Sequence, residues 1–244
     1  MNGRLLFVTG TGTGVGKTIA TAALIVALRR SGLDAVPAKP IQTGAPGGPE
    51  TAPDLVYTFR AAGLPPEAWD PPTMVPVCHA PACSPHLAAR LAGTPIELPP
   101  ILAAMEKLRR RHDVVVAEGA GGIFVPLDEK RTMLDLAAAF GCPIVIVATT
   151  GLGTINHTLL TASAILRRKL PIAGILFTQH AAPADAEEAM IADDNPATIC
   201  AMTGLTNLGV IPPLGDVADP VHFPGGKAAA AITGLDDLRR ALHV

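Results

Sequence analysis

Hydrophobic positions along the chain fall into short, nearly unbroken runs separated by longer Ala- and Leu-rich stretches. The runs are Leu5–Thr9, Ala35–Lys39, Val114–Glu118, Ile144–Ala148, Ile172–Phe177 and Leu208–Ile211. They are rich in β-branched residues and lack the apolar/polar alternation of a strand with one wet face. They therefore predict parallel strands covered on both sides. Helices are predicted between them over Thr18–Ser31, with Gly32 as a C-terminal cap, and over Leu98–His112, Met133–Phe140 and His157–Lys169. The alternation predicts an α/β fold with a doubly wound, mostly parallel sheet and ligands over the carboxyl ends of its strands. Chemistry is then expected just after Thr9, Lys39, Glu118 and Ala148.

The stretches Thr43–Pro53 and Gly63–Pro72 are dense in Gly and Pro and read as loops, with a short helix over Leu55–Ala62. A further loop is predicted around Thr178–Ala182, followed by a loosely patterned helical segment up to Thr206. No repeat or dividing linker interrupts the 244 residues, so the whole chain, 1–244, reads as one domain. Apolar residues make up 49% and charged residues 16%, which suits a sheet buried between Ala-rich helices and excludes a disordered segment. A net charge of −2 gives no reason to expect a nucleic-acid partner. The one basic run, Arg109-Arg110-Arg111, ends a predicted helix and complements its dipole. Cys78, Cys83, Cys142 and Cys200 have neither metal-ligand nor disulfide spacing and read as free thiols. With no signal peptide and no apolar run of membrane-spanning length, a cytoplasmic protein is expected.

The chemistry begins where the first strand runs into Gly10-Thr11-Gly12-Thr13-Gly14-Val15-Gly16-Lys17-Thr18 and then into a helix. Strand, glycine-rich turn, Lys-Thr and helix is the setting in which a backbone wraps a polyphosphate. The glycines let amide N–H groups turn inward, Lys17 supplies a charge for the β- and γ-phosphates, and the Thr18 hydroxyl can sit on Mg²⁺. The helix aims its positive dipole end at the same anion. The first glycine is displaced by one, since Thr11 occupies the strict position. The motif predicts nucleoside triphosphate binding on a P-loop NTPase-like domain.

Glu118 ends an apolar strand ahead of Gly119-Ala120-Gly121-Gly122, where a phosphate-loop protein places a metal-side acid. Asp54 is either a helix N-cap or a second metal-side carboxylate. Lys39, followed by Pro40-Ile41-Gln42-Thr43-Gly44, is either a solvated strand-end lysine or a second ammonium beside the phosphates, as γ-phosphoryl transfer requires. Ser84-Pro85-His86 reads as an N-cap serine opening a helix to Leu91, the alternative being that His86 lies near the site. Thr132-Met133-Leu134-Asp135 reads as a capping box. Gly151-Leu152-Gly153-Thr154-Ile155-Asn156-His157 is a strand-to-helix turn whose free N–H groups could also take an anion.

In order and approximate spacing, the phosphate loop, Lys39–Gly44, Ser84–His86, Glu118–Gly122 and Gly153–His157 resemble the dethiobiotin synthetase family, over essentially the whole chain. That resemblance implies a cytoplasmic homodimer acting in biotin synthesis. It would close the ureido ring of dethiobiotin from 7,8-diaminononanoate, CO₂ and MgATP, through a carbamate and a carbamic–phosphoric anhydride. By position, Lys39 and Lys17 would be catalytic, and Thr18, Asp54 and Glu118 would hold the metal. ATP would contact Thr13, Gly14, Val15, Gly16, Lys17, Thr18, Ile19, Asp54, Glu118, Gly119, Ala120 and Gly121. The base would meet Thr178, Gln179, Pro212, Pro213, Leu214 and Asp219. The diamine would meet Thr13, Lys39 and Thr43, with its carboxylate tail on Gly153, Thr154 and Asn156 across the dimer interface.

Three positions depart from the family pattern: Gly14 stands where an acid is frequent, Thr178-Gln179 replace an Asn-Asp pair, and Pro213 replaces a bulkier residue. The rival from another class is a dimeric P-loop ATPase switch of the partitioning type. Such proteins usually carry a signature lysine in the loop, where this chain has Gly12, and a basic or amphipathic surface, which is missing here.

Overall fold

The computed structural model describes residues 3–244. Six parallel strands form the central sheet: β1 (Arg4–Gly10), β2 (Ala35–Ala38), β5 (Val114–Gly122), β6 (Ile144–Thr149), β7 (Ile172–Thr178) and β8 (Asn207–Ile211). Their order is β2-β5-β1-β6-β7-β8. A small second sheet pairs β3 (Ile41–Thr43) with β4 (Val77–His79), also in parallel. The helices are α1 (Lys17–Arg30), α2 (Pro53–Ala61), α3 (Pro71–Met74), α4 (Pro85–Ala92), α5 (Leu98–Arg109), α6 (Met133–Phe140), α7 (Thr154–Arg167), α8 (Ala186–Thr203), α9 (Gly225–Ala230) and α10 (Leu235–Leu242).

The unbroken apolar runs are the sheet interior. Leu6, Phe7, Val8, Val114, Val115, Val116, Ile144, Val145, Ile175 and Phe177 are all at 0% exposure. Each large apolar side chain buried this way contributes about 1.5–3 kcal/mol relative to water. Helix α1 is hemmed in almost all round, with Ala20, Ala22, Ala23, Leu24, Ile25 and Leu28 also at 0%. Its alanines let it lie close to the sheet and to α2 and α9.

The order of strands matters more than their number. After β1 the chain builds outward on one side with β2, returns to insert β5 beside β1, and then crosses to the other side for β6, β7 and β8. Strand β1 is therefore flanked by β5 and β6, with Val8 opposite both Glu118 and Val145. A crevice forms at the carboxyl ends where the winding reverses.

Several boundaries differ from the sequence reading. Helix α7 starts at Thr154 rather than His157, because Gly153 takes the left-handed conformation (φ 90) and the Thr154 hydroxyl ties the first turn back to the Thr149 carbonyl at 2.7 Å. Helix α2 starts at Pro53, with Ala52 as its N-cap, so Asp54 sits inside the first turn and is not the cap. The three-residue strands β3 and β4 and helices α9 and α10 were not anticipated. Helix α10 nonetheless carries a readable pattern, with Leu238 and Leu242 buried four residues apart. The basic run after α5 is ion-paired rather than free: Arg110 meets Glu106 and Arg111 meets Asp70 at 2.7 Å. Pro85 opens α4 after Ser84, and Thr132 and Asp135 form the expected capping box, the Asp135 carboxylate accepting from the Thr132 N–H at 2.8 Å. All four thiols are unpaired. Among the described residues, no helix is long and apolar enough to cross a membrane.

Candidate functional site

The loop after β1 owes its shape to two left-handed glycines, Gly14 (φ 75) and Gly16 (φ 85). Gly16 has a second constraint, since a Cβ there would lie 3.0 Å from the Thr178 methyl. The Thr178 hydroxyl, at the end of β7, donates to the Val15 carbonyl at 2.8 Å and so pins the loop from behind. Helix α1 begins directly after Gly16 with no side-chain cap and no acid in its first turn. Its N–H groups are left for an anion. Lys17 is 7% exposed and donates to the Gly12 carbonyl at 2.8 Å. Burial pulls its pKa down to about 8, against the attraction of Glu118.

Beside the loop lies an ion cluster, buried at Lys39 and Glu118 and half-buried at Asp54. The Lys39 ammonium is 2.7 Å from Glu118 Oε1, 2.7 Å from Asp54 Oδ2 and 3.2 Å from the Gly119 carbonyl. Thr18 donates to the same Glu118 Oε1 at 3.1 Å. Lys39 and Glu118 are 4% and 3% exposed. Burial opposes the charge on Lys39, but Glu118 and Asp54 outweigh it and hold the ammonium's pKa above the ordinary lysine value. Burial likewise pushes Asp54 up, and the Lys39 charge reverses this to leave its carboxyl below the usual range. The solvated reading of Lys39 therefore does not apply.

Two cavities open from the loop. The larger, about 850 Å³, is lined by Thr13, Gly14, Gly16, Lys17, Thr18, Ile19, Lys39, Thr43, Asp54, Glu118, Ala120 and Gly121, all expected from sequence. It is also lined by Gln42, Cys83, Ser84 and Pro85, which sequence reasoning had not placed there. Gln42 stood within the Lys39–Gly44 stretch but faces no pattern that would single it out. The Ser84-Pro85 pattern points to a helix N-cap and carries no sign of a place on the cavity wall. The smaller cavity, about 240 Å³, lies beyond Gly16 and Ile19 and is lined by Thr178, Gln179, Pro212, Leu214 and Val217 among others.

The remaining expected residues sit elsewhere. Val15 and Gly119 contribute backbone carbonyls, to Thr178 and Lys39 respectively. The Pro213 carbonyl accepts from Lys227 at 3.1 Å. Asp219 caps the turn that follows it, accepting from the Val221 N–H at 2.9 Å and meeting His222 at 3.0 Å. Gly153, Thr154 and Asn156 line neither cavity, and Gly153 and Asn156 are exposed. His86 borders a separate cavity with Leu127 and Arg131.

The donor chemistry suits Mg²⁺. Asp54, Glu118 and Thr18 offer only oxygen, and both carboxylates already converge on one cation. Hard oxygen donors in small number, leaving room for phosphate and water, are what this ion takes.

A family model described as an AAA domain matches residues 4–221. The chain is 43% identical over 230 residues to the ATP-dependent dethiobiotin synthetase BioD of Anaeromyxobacter sp. (strain K), covering 94% of this chain and 99% of that protein. It is 42% identical over 212 residues to the protein of the same name from Ralstonia nicotianae (strain ATCC BAA-1114 / GMI1000), covering 85% and 88%. Among solved structures, the MinC:MinD cell division protein complex of Aquifex aeolicus superposes with a TM-score of 0.58 at 16% identity, covering 99% of this chain and 96% of that one. A ParA family ATPase from Chlorobium tepidum TLS gives 0.53 at 12% identity, covering 98% and 96%. Those two likenesses establish the P-loop fold alone, whereas the curated relatives match closely along nearly their full length. The chain belongs to the ATP-dependent dethiobiotin synthetase family and is an ATP-dependent ligase of biotin synthesis.

Proposed function

We propose that the enzyme joins 7,8-diaminononanoate and CO₂ at the expense of ATP, giving dethiobiotin, ADP and phosphate. One amine takes up CO₂ and loses a proton to become a carbamate. A carbamate oxygen attacks the γ-phosphorus, ADP leaves, and a carbamic–phosphoric anhydride results. The second amine then attacks the carbamoyl carbon, loses a proton, closes the five-membered ring and expels phosphate.

The observation that carries this reading is the meeting of two buried ammonium groups and two carboxylates on the wall of one 850 Å³ cavity, directly beside the phosphate loop. An anionic carbamate must approach an anionic triphosphate, so cationic charge has to be concentrated where they meet. Lys17 and the N–H groups of α1 would hold the β- and γ-phosphates, and Lys39 would serve the γ-phosphoryl group and the carbamate. Thr13 and Thr43 would orient the diamine by their hydroxyls. Because both amines belong to one bound molecule, ring closure gains the advantage of an intramolecular attack. Thr18, Asp54 and Glu118 would hold Mg²⁺, which when bound neutralises charge on the β- and γ-phosphates. The base would enter the smaller cavity against Gln179, Pro212 and Leu214.

The active unit in this proposal is a cytoplasmic homodimer of single-domain chains. The turn that opens α7, exposed at Leu152 (91%), Gly153 and Asn156 and buried at Thr154, would reach the neighbouring site, and the diamine's carboxylate would sit on Gly153, Thr154 and Asn156. Purified protein given 7,8-diaminononanoate, bicarbonate and MgATP should release phosphate, and omission of any one of them should abolish release. ATP hydrolysis indifferent to the diamine but stimulated by DNA or lipid would instead mark a switch ATPase.

A further inference from the structure

The Lys39 ammonium has three N–H donors, and the structure fills all three. Asp54 Oδ2 and Glu118 Oε1 each accept at 2.7 Å, and the Gly119 carbonyl accepts at 3.2 Å. No donor remains for a phosphate. Glu118 Oε1 also accepts from Thr18, so this single oxygen already serves a cation and a hydroxyl. These are the same oxygens that fit a hard divalent ion, which binds at about 2.0–2.1 Å and would share them with an ammonium only against strong repulsion.

We propose that Lys39 is the resident counter-ion of the metal-side carboxylates in the nucleotide-free enzyme, and that it is released towards the phosphoryl end when a divalent cation takes those carboxylates over. The inference rests on the ligase reading above for the task Lys39 performs once released. Its physical basis is the cost of burying charge. Glu118, at 3% exposure, cannot stay ionised and unpaired while the enzyme waits for substrate, and Asp54 beside it adds a second negative charge. Lys39, at 4% exposure, neutralises one of the two charges and fixes both side chains in place. The preformed cluster keeps the carboxylates from collapsing onto Lys17, which rests instead on Gly12. Exchange then couples two events, since Lys39 is free to reach the γ-phosphoryl group only when the metal position is filled. A catalytic lysine that stays engaged until the metal arrives would guard against futile attack on ATP.

The exchange can be measured without nucleotide or diamine. Mn²⁺ added to the nucleotide-free protein is followed by the loss of its free-ion electron paramagnetic resonance signal. The Lys39→Met protein should bind Mn²⁺ at least about tenfold more tightly than the parent, because the competing charge is gone. Lys39→Arg, which keeps the charge, should stay near the parent. Equal or weaker binding by Lys39→Met, or no binding by either protein, overturns the proposal. Should the Met variant fail to fold, the parent protein still decides the matter. Trace acylation of Lys39, read by mass spectrometry, should rise severalfold on adding Mg²⁺ alone, and labelling that Mg²⁺ leaves unchanged overturns it. Failure here with intact diamine-dependent phosphate release would sink the exchange alone. Loss of phosphate release with intact exchange would sink the reaction assigned.

Discussion

Replacing Lys17 by methionine should make the empty protein more stable while destroying its use for nucleotide. The buried ammonium is held with its pKa at about 8 instead of the ordinary 10.5, chiefly because it has been taken out of water. At about 1.4 kcal/mol per tenfold, that gap corresponds to about 3 kcal/mol by which the folded state disfavours the proton. The figure already includes the attraction of Glu118 and Asp54. Methionine keeps most of the packed stem but forfeits the hydrogen bond to the Gly12 carbonyl. Such a bond is worth about 1 kcal/mol. A net gain of about 1–2 kcal/mol is expected for Lys17→Met at about pH 7, measured by urea denaturation in chelator without nucleotide. The sign with pH is fixed. Below about pH 8 both folded and unfolded lysines are protonated and the parent carries the full penalty. Between there and 10.5 the unfolded chain binds more protons, so the parent gains stability as pH rises and the variant's advantage fades. A Met variant no more stable than the parent at about pH 7, or an advantage undiminished near pH 10.5, would refute the argument.

Lys39→Ala should lower the rate of diamine-dependent phosphate release by about 10²–10³. It should also destabilise the fold by about 3–5 kcal/mol, since Glu118 and Asp54 would lose the ammonium they share. Steady-state kinetics and denaturation of the same preparation check both, and full activity would remove Lys39 from the chemistry. Gly16→Ala should cost about 1–2 kcal/mol from its left-handed backbone alone. The added methyl should also press on Thr178 and weaken binding of a fluorescent nucleotide well beyond tenfold, whereas unaltered binding would mean the loop does not need this conformation.

The central sheet was legible because its strands are buried on both faces, and such strands cannot hide their composition. All six apolar runs became strands of the parallel sheet. What escaped was structure made without a run: β3 and β4 have three residues each, and the strand Ile41–Thr43 exists only because Val77–His79 arrives from more than thirty residues away. Helix α7 began earlier than its pattern because a glycine, not a side-chain cap, starts it. For the site, the contiguous phosphate loop could be read directly. Asp54 could not, because its pairing with Lys39 depends on how a Gly/Pro-rich loop folds back and no local pattern encodes that. The family resemblance, not spacing, removed it from the caps. Gln42 and Ser84 reached the cavity wall through the same long-range folding.

Thr178 couples two parts of the molecule. One side chain both borders the small cavity and, through its hydroxyl, clamps the glycine turn at Val15. A side chain that cannot donate from this position would therefore release the Val15 carbonyl in the same stroke that reshapes the cavity wall. Gln179, Pro212 and Leu214 line the same small cavity, so its wall can be altered at those positions while the Thr178 clamp stays in place.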